Sequence, residues 1–140
     1  MNYQFYKKLP LEAKKIRQEV FVKEQGFKNE FDDIDKNCIH LVVFQEEKAI
    51  GCARMICEND SVILGRIAVL KEYRQLHVGS YILQCLENKA KELSYTKVEL
   101  SAQVRASQFY LKNGYQIYGD EYLDEYCPHV HMEKTYKSNE

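Results

Sequence analysis

The chain has 140 residues, 45% of them hydrophobic, a size that suits one domain spanning residues 1–140 and able to bury most of its apolar surface. Its 20 Lys and Arg stand against 21 Asp and Glu, a net charge of -1 that gives no electrostatic footprint for sequence-independent nucleic-acid binding and directs attention to small-molecule or protein substrates. The first residues, MNYQFYKKLP, have no signal-peptide core, and no run approaches the roughly 18 apolar residues of a spanning helix, so a cytoplasmic protein without membrane contact is expected.

In chain order, Tyr3 to Tyr6 alternates weakly and can begin a sheet. Pro10 suits a first helical turn, and Leu11, Ile16, Val20 and Phe21 carry a helix to about Val22, with Lys14 and Lys15 on its outer face. Lys23 to Asn37 reads as a loop with Gly26, anchored by Phe27, Phe31 and Ile34 and rich in acids, Glu24, Glu30, Asp32, Asp33 and Asp35. These charges read as solvated, though a loop this long in a compact domain is often functional. Asp32 and Asp35 lack the spacing and glycine of a calcium loop, and no metal is expected.

Three strands follow, His40–Gln45, Ala49–Ile56 and Ser61–Val69, joined by short polar turns that imply antiparallel hairpins. Gly51 and Gly65 interrupt two of them and are expected at bulges. Next comes the polar turn Lys71–His77, then a helix over Ser80–Leu93 with Ile82, Leu83, Leu86, Ala90 and Leu93 on one face, then a strand over Thr96–Ser101. A strand, helix, strand unit of this length predicts a parallel pair with a right-handed crossover, and ligands of open sheets bind beyond the carboxyl ends of such strands. Its loop, Arg74 to Ser80, brings free backbone N–H groups and a helix N-terminus to one place, where an anion such as a phosphate is stabilised. Gly79 would admit a ligand close to the backbone and Arg74 would add charge, although an ordinary tight connection has the same look.

Arg105 to Asn113 predicts a short helix closed by Asn113-Gly114, and two terminal strands, Tyr115–Gly119 and His129–Tyr136, are expected on either side of an acidic loop, Asp120–Pro128, with fraying over 137–140. Cys38, Cys52, Cys57, Cys85 and Cys127 are odd in number and form no Cys-x-x-Cys pair, which argues for reduced thiols, with Cys52 and Cys85 as small core residues. Cys127, His129 and His131 alternate and share a strand face, but a zinc site there lacks a fourth ligand.

The order of elements and two motifs together resemble the GNAT acyltransferase superfamily. The family's coenzyme loop, Arg/Gln-x-x-Gly-x-Gly/Ala, is met by Arg74 and Gly79, with His77 in place of the first glycine. Its second signature, Asn-x-x-Ala-x-x-Phe/Leu-Tyr-x-x-x-Gly-Phe, is met by Ala106, Phe109, Tyr110 and Gly114, with Gln103 for Asn and Tyr115 for Phe. Arg17, Val20 to Val22, Glu24 to Gly26, His40 to Val42 and Pro128-His129-x-x-Met132 look like the small bacterial ElaA/YjcF subgroup.

The resemblance implies an α/β (α+β) fold: a mixed, mostly antiparallel twisted sheet of six to seven strands flanked by about four helices, with the parallel crossover at the coenzyme site. It also implies acetyl-CoA-dependent transfer to a primary amine of a small molecule or peptide, by a monomer or homodimer. The pyrophosphate would lie on the backbone of Gln75, Leu76, His77, Val78, Gly79 and Ser80, the pantetheine arm and acetyl group along Ile67, Ala68 and Val69, with Arg74, Gln103, Ala106 and Phe109 around the coenzyme. Tyr110 matches the family's general acid. Gly65 stands where many relatives carry a catalytic glutamate, so the base would be a water chain, or Glu24, His40 or His129 acting by way of water. His77 and the missing base leave room for a CoA-binding sensor or interaction module without turnover. The acids of the two loops would together form a negative entrance for cationic substrates.

Overall fold

A computed structural model of the chain describes residues 1–137; the rest of the 137–140 segment expected to fray lies outside the described residues. The elements are β1 (Asn2–Tyr6), α1 (Leu11–Arg17), β2 (Ile39–Gln45), β3 (Lys48–Cys57), β4 (Val62–Val69), α2 (Val78–Glu92), β5 (Lys97–Gln103), α3 (Ser107–Lys112), β6 (Gln116–Asp124) and β7 (Cys127–Thr135). The strands form one seven-stranded sheet in the order β1-β2-β3-β4-β5-β7-β6, and every pair is antiparallel except β4 with β5. The mixed sheet and its parallel crossover are those expected, and the described residues contain three α-helices with short 3₁₀ turns between elements.

The sheet is covered on both faces because its inward strands alternate into two separate cores. Leu41, Val43, Ala53, Met55, Leu64, Val98 and Leu100 meet Val78, Ile82, Leu83, Leu86 and Ala90 of α2. On the other face Val42, Cys52 and Ala68 meet Ala13, Ile16, Val20 and Phe21. Each fully buried aliphatic side chain contributes about 1.5–3 kcal/mol, which fixes both helices to the sheet. Four of the five cysteines are buried and all are free thiols, with Cys52 and Cys85 in the cores as anticipated.

Several boundaries differ from the sequence reading. The first helix passes directly into a π-helical turn over Gln18–Glu24, beyond Val22, so it delivers Glu24 to Arg74 after β4 and Gln25 to Gln103 at the end of β5. α2 begins at Val78, two residues early, because Val78 is itself a core residue. The acidic loop expected over Asp120–Pro128 is mostly strand: β6 runs to Asp124 and β7 starts at Cys127. Gly119, at φ +83°, accommodates a bulge between the pairs Tyr118–His131 and Tyr122–His129, and pairing resumes beyond it. Gly51 and Gly65 do neighbour bulges, but the residue that adopts the special backbone is Arg66, at φ +51°.

Candidate functional site

The site begins where two strands part. β4 and β5 pair only through Val62–Val98, Ile63–Glu99 and Leu64–Leu100; beyond Leu64 the Arg66 bulge turns β4 away and the strands diverge. Into the gap opens a cavity of about 430 Å³ whose lining includes Gln25, Ile67, Gln103, Ala106, Tyr110 and His129. Five of those six were singled out from sequence; Gln25 belongs to the π-helical turn and was missed as a lining residue.

Tyr110, on α3, has its ring against Phe109 and Tyr115 at 5.0 and 6.0 Å between centroids. Burial pushes its phenol up to about 12. Among the described residues its hydroxyl has no hydrogen-bond partner in the protein, yet it is not among the fully occluded polar atoms, so it is available to the cavity. His129, buried on β7, lies edge-on to Phe27 and stacked on Tyr122. Its Nδ1 sits 2.9 Å from the Cys127 carbonyl, and since a carbonyl only accepts, Nδ1 carries a proton and, in the neutral ring, Nε2 holds the lone pair.

The loop after β4 forms a second region of the site. Gln75 and His77 both hold left-handed backbone, at φ +68° and +62°. His77 is thus in the conformation for which a glycine would be the natural residue. From Gln75 to Ser80 no backbone N–H donates to a protein acceptor among the described residues, and these groups stand at the N-terminus of the 15-residue α2. Gly79 serves packing: a Cβ there would stand 2.9 Å from the Phe109 ring, so its absence lets α3 close on α2 beside Tyr110.

Arg74 and Glu24 meet across this loop. Arg74 donates from Nη1 and Nη2 to the Glu24 carboxylate at 2.6 and 2.8 Å and from Nε to the Val69 carbonyl at 3.0 Å. The hydrogen bond from Arg74 holds the Glu24 carboxyl below its ordinary range. Glu24 does not line the cavity, and neither do Ala68 and Val69; Ala68 is buried in the α1 core. Leu76 is exposed. Gln103 joins Gln25 at 2.8 Å and receives Arg105 at 2.7 Å, an amide bridge between side chains that ties β5 to the π-helical turn.

The loop acids are not the solvated set that the sequence suggested. Arg17, 1% exposed, donates to Glu30 and Asp35 at 2.8 Å each; Arg54 donates to Asp32 at 2.7 Å and to Asp35 at 3.0 Å; Arg66 lies 2.9 Å from Glu30. Burial raises the Asp35 carboxyl, but the guanidinium groups of Arg17 and Arg54 outweigh it and the net shift is downward. With Glu24 also bound to Arg74, the first half of the expected negative entrance is neutralised. Three arginines against three acids within a 50-residue stretch was the signal available in the sequence. His40 is spent on the Asp35 carbonyl at 2.8 Å, away from the cavity.

Cys127, His129 and His131 share a strand face but do not converge: His131 turns to Glu133 and Glu99 at 2.8 and 3.2 Å. Among the described residues two groups of metal-ligand types gather, Asp35 with Cys38 and His40, and Glu99 with His131 and Glu133. In the first, the Asp35 carboxylate is already shared by two arginines. Among the described residues no helix is long and apolar enough to cross a membrane.

Residues 8–136 match the family model described as an acetyltransferase (GNAT) domain. YjcF of Bacillus subtilis, described as an uncharacterized N-acetyltransferase, is 38% identical over 122 residues, which cover 85% of this chain and 87% of YjcF. Among solved structures, Escherichia coli ElaA superposes with a TM-score of 0.83 at 23% identity over 95% of this chain and 98% of its own. An aminoglycoside 6'-N-acetyltransferase complexed with coenzyme A superposes with a TM-score of 0.76 at 13% identity, covering 96% and 97% of the two chains.

Proposed function

The chain belongs to the GNAT acetyltransferase family, and from that premise we propose that it transfers an acetyl group from acetyl-CoA to a primary amine of a small molecule or peptide. The observation that carries this reading is the meeting of two features: unspent backbone N–H groups over Gln75–Ser80, and a Tyr110 hydroxyl free beside the diverging strands. The N–H groups at a helix N-terminus fit a pyrophosphate, and the gap between β4 and β5 fits an extended arm with an acyl group at its end. The coenzyme-bound aminoglycoside acetyltransferase, which shares the fold, supports the assignment.

Acetyl-CoA supplies a thioester carbonyl at which the amine forms a C–N bond as the C–S bond breaks. The chain's own residues then have defined tasks. The backbone of Gln75 to Ser80 binds the phosphates, the β4 edge at Ile67 guides the arm, and Ala106 walls the coenzyme side, with Phe109 packed behind it against Gly79. Tyr110, protonated at physiological pH, donates its proton to the departing thiolate. The amine must lose a proton, and His129 Nε2 receives it, directly or through one water. Glu24 is bound by Arg74 and acts by holding that arginine at the loop.

Calorimetric titration with acetyl-CoA tests the coenzyme; absence of binding overturns this reading. Tyr110→Phe is expected to lower turnover by about 10²-fold while acetyl-CoA affinity is retained. A CoA-binding module without turnover is the second reading, favoured by the left-handed His77 and by Gly65, which leaves that β4 position without a carboxylate. Unchanged activity in Tyr110→Phe would remove the general-acid role, and absence of turnover with any amine would favour the module.

A further inference from the structure

Glu99, His131 and Glu133 gather on the sheet outside the coenzyme loop and outside the cavity. The antiparallel register of β5 and β7 sets Glu99 opposite Glu133 and Ser101 opposite His131, so these side chains share one face of the sheet. The next pair on that face, Gln103 with His129, lines the cavity. Two carboxylates directly opposite each other repel. Here His131 stands between them, its Nε2 2.8 Å from Glu133 Oε2 and 3.2 Å from Glu99 Oε1. Carboxylates only accept, so a proton on Nε2 holds the group together.

The other oxygen of each carboxylate is engaged from outside the group. Ser61, 5% exposed, donates its hydroxyl to Glu99 Oε2, and Lys97 Nζ lies 3.4 Å from Glu133 Oε1. Each carboxylate thus keeps one oxygen on an outer partner and turns the other towards the histidine nitrogen. Carboxylates that ligate a metal are oriented in this way, by hydrogen bonds from behind. All three side chains are partly buried and none belongs to either hydrophobic core, so their meeting point is enclosed by the sheet and reached by water.

The spacing also fits an ion. Nitrogen and oxygen ligands at about 2.0–2.2 Å from a tetrahedral ion stand roughly 3.3–3.6 Å apart. The three inward atoms lie within 4.8 Å of one another, and two of their separations are 2.8 and 3.2 Å. The group of Asp35, Cys38 and His40 differs, since its carboxylate is bonded to two arginines and its imidazole to a carbonyl. A nitrogen beside two oxygens suits a first-row transition ion, whereas calcium and magnesium take shells of oxygen.

We propose that Glu99, His131 and Glu133 bind a divalent transition-metal ion of the zinc class, with water as the fourth ligand and the ion in the place of the Nε2 proton. Bound there, it clamps β5 to β7 beside Gln103 and His129. The site stands whether or not the chain transfers acetyl groups.

Zinc chloride titrated calorimetrically into the full chain carrying Cys57→Ser, which removes the exposed thiol, tests this. Zinc is expected to bind at one ion per chain and about ten-fold or more tightly than magnesium or calcium. His131→Ala is expected to weaken zinc by about 100-fold, and Ser61→Ala, which touches only the outer oxygen of Glu99, by about ten-fold. Saturating zinc should raise the melting temperature by roughly 5 °C or more, and should not do so in His131→Ala. If His131→Ala does not fold, Glu99→Gln, which keeps the size of the side chain, must show the same loss. Absence of zinc binding overturns the proposal, as does magnesium or calcium binding as tightly as zinc. So does zinc affinity that survives in a folded His131 or Glu99 variant, which would place the ion on other side chains.

Discussion

At the residue scale, single side chains do work that their types alone do not announce. The Tyr110 phenol is protonated across the physiological range, and burial, which pushes it up to about 12, extends that range upward. Its pKa is higher folded than unfolded, so the stability this adds is complete below the unfolded value near 10 and is lost as pH rises towards about 12. Thermal unfolding of Tyr110→Phe should accordingly lose less stability than the parent between those limits; equal losses would mean that the phenol is not the group titrating. His77 at φ +62° carries a left-handed cost of about 1 kcal/mol that glycine avoids, partly returned through the entropy of a freer unfolded chain. The His77→Gly variant should melt slightly higher, by roughly 1–3 °C, and bind acetyl-CoA at least as tightly.

At the scale of elements, the site depends on how α2 and α3 close together over the end of the parallel pair. Gly79 makes that closure possible, since its missing Cβ is where the Phe109 ring lies, and Phe109 is the immediate neighbour of Tyr110. Gly79→Ala should therefore cost about 1–3 kcal/mol of stability by overpacking. It should also lower kcat, because α3 and the Tyr110 hydroxyl would move together; a variant of lower stability and unchanged kcat would separate the two. The π-helical turn after α1 acts similarly on the opposite rim, where Gln25 joins Gln103 and Glu24 joins Arg74.

At the scale of the whole molecule, a buried ionic network ties the loop between α1 and β2 to the sheet. Arg17→Met keeps the volume but removes the buried guanidinium that donates to both Glu30 and Asp35, leaving Arg54 and Arg66 alone to balance them, and should cost about 3–5 kcal/mol in urea unfolding. A loss under 1 kcal/mol would show that the remaining arginines suffice. Acid should also weaken the fold. The Asp32 carboxyl is held low by its hydrogen bonds from Arg54, and Asp35 is lowered by Arg17 and Arg54 against burial. Folded values below the unfolded one give stability that is present above about pH 4 and lost as pH falls through them, which melting temperatures below pH 4 would follow.

The sequence by itself determined the local matters: strand against helix by period, the parallel crossover by length, and the glycine C-cap at Gly114; its motif register also puts forward Tyr110 and the Arg74–Ser80 loop as the candidates proposed above. These are set by neighbours within a few residues, and so they are written in spacing. Which charges pair was decided only in three dimensions. Glu24 and Arg74 are 50 residues apart and Arg54 and Asp32 are 22 apart, and their contact follows from strand order, not from any local pattern. The same holds for the strand conformation of Asp120–Asp124, where a bulge at Gly119 and pairing with β7 override a composition that reads as loop. The cavity is divided between the two kinds: the bulge beside Gly65 was legible in the glycine, whereas the parting of β4 from β5 beyond Leu64 exists only once the strands are paired.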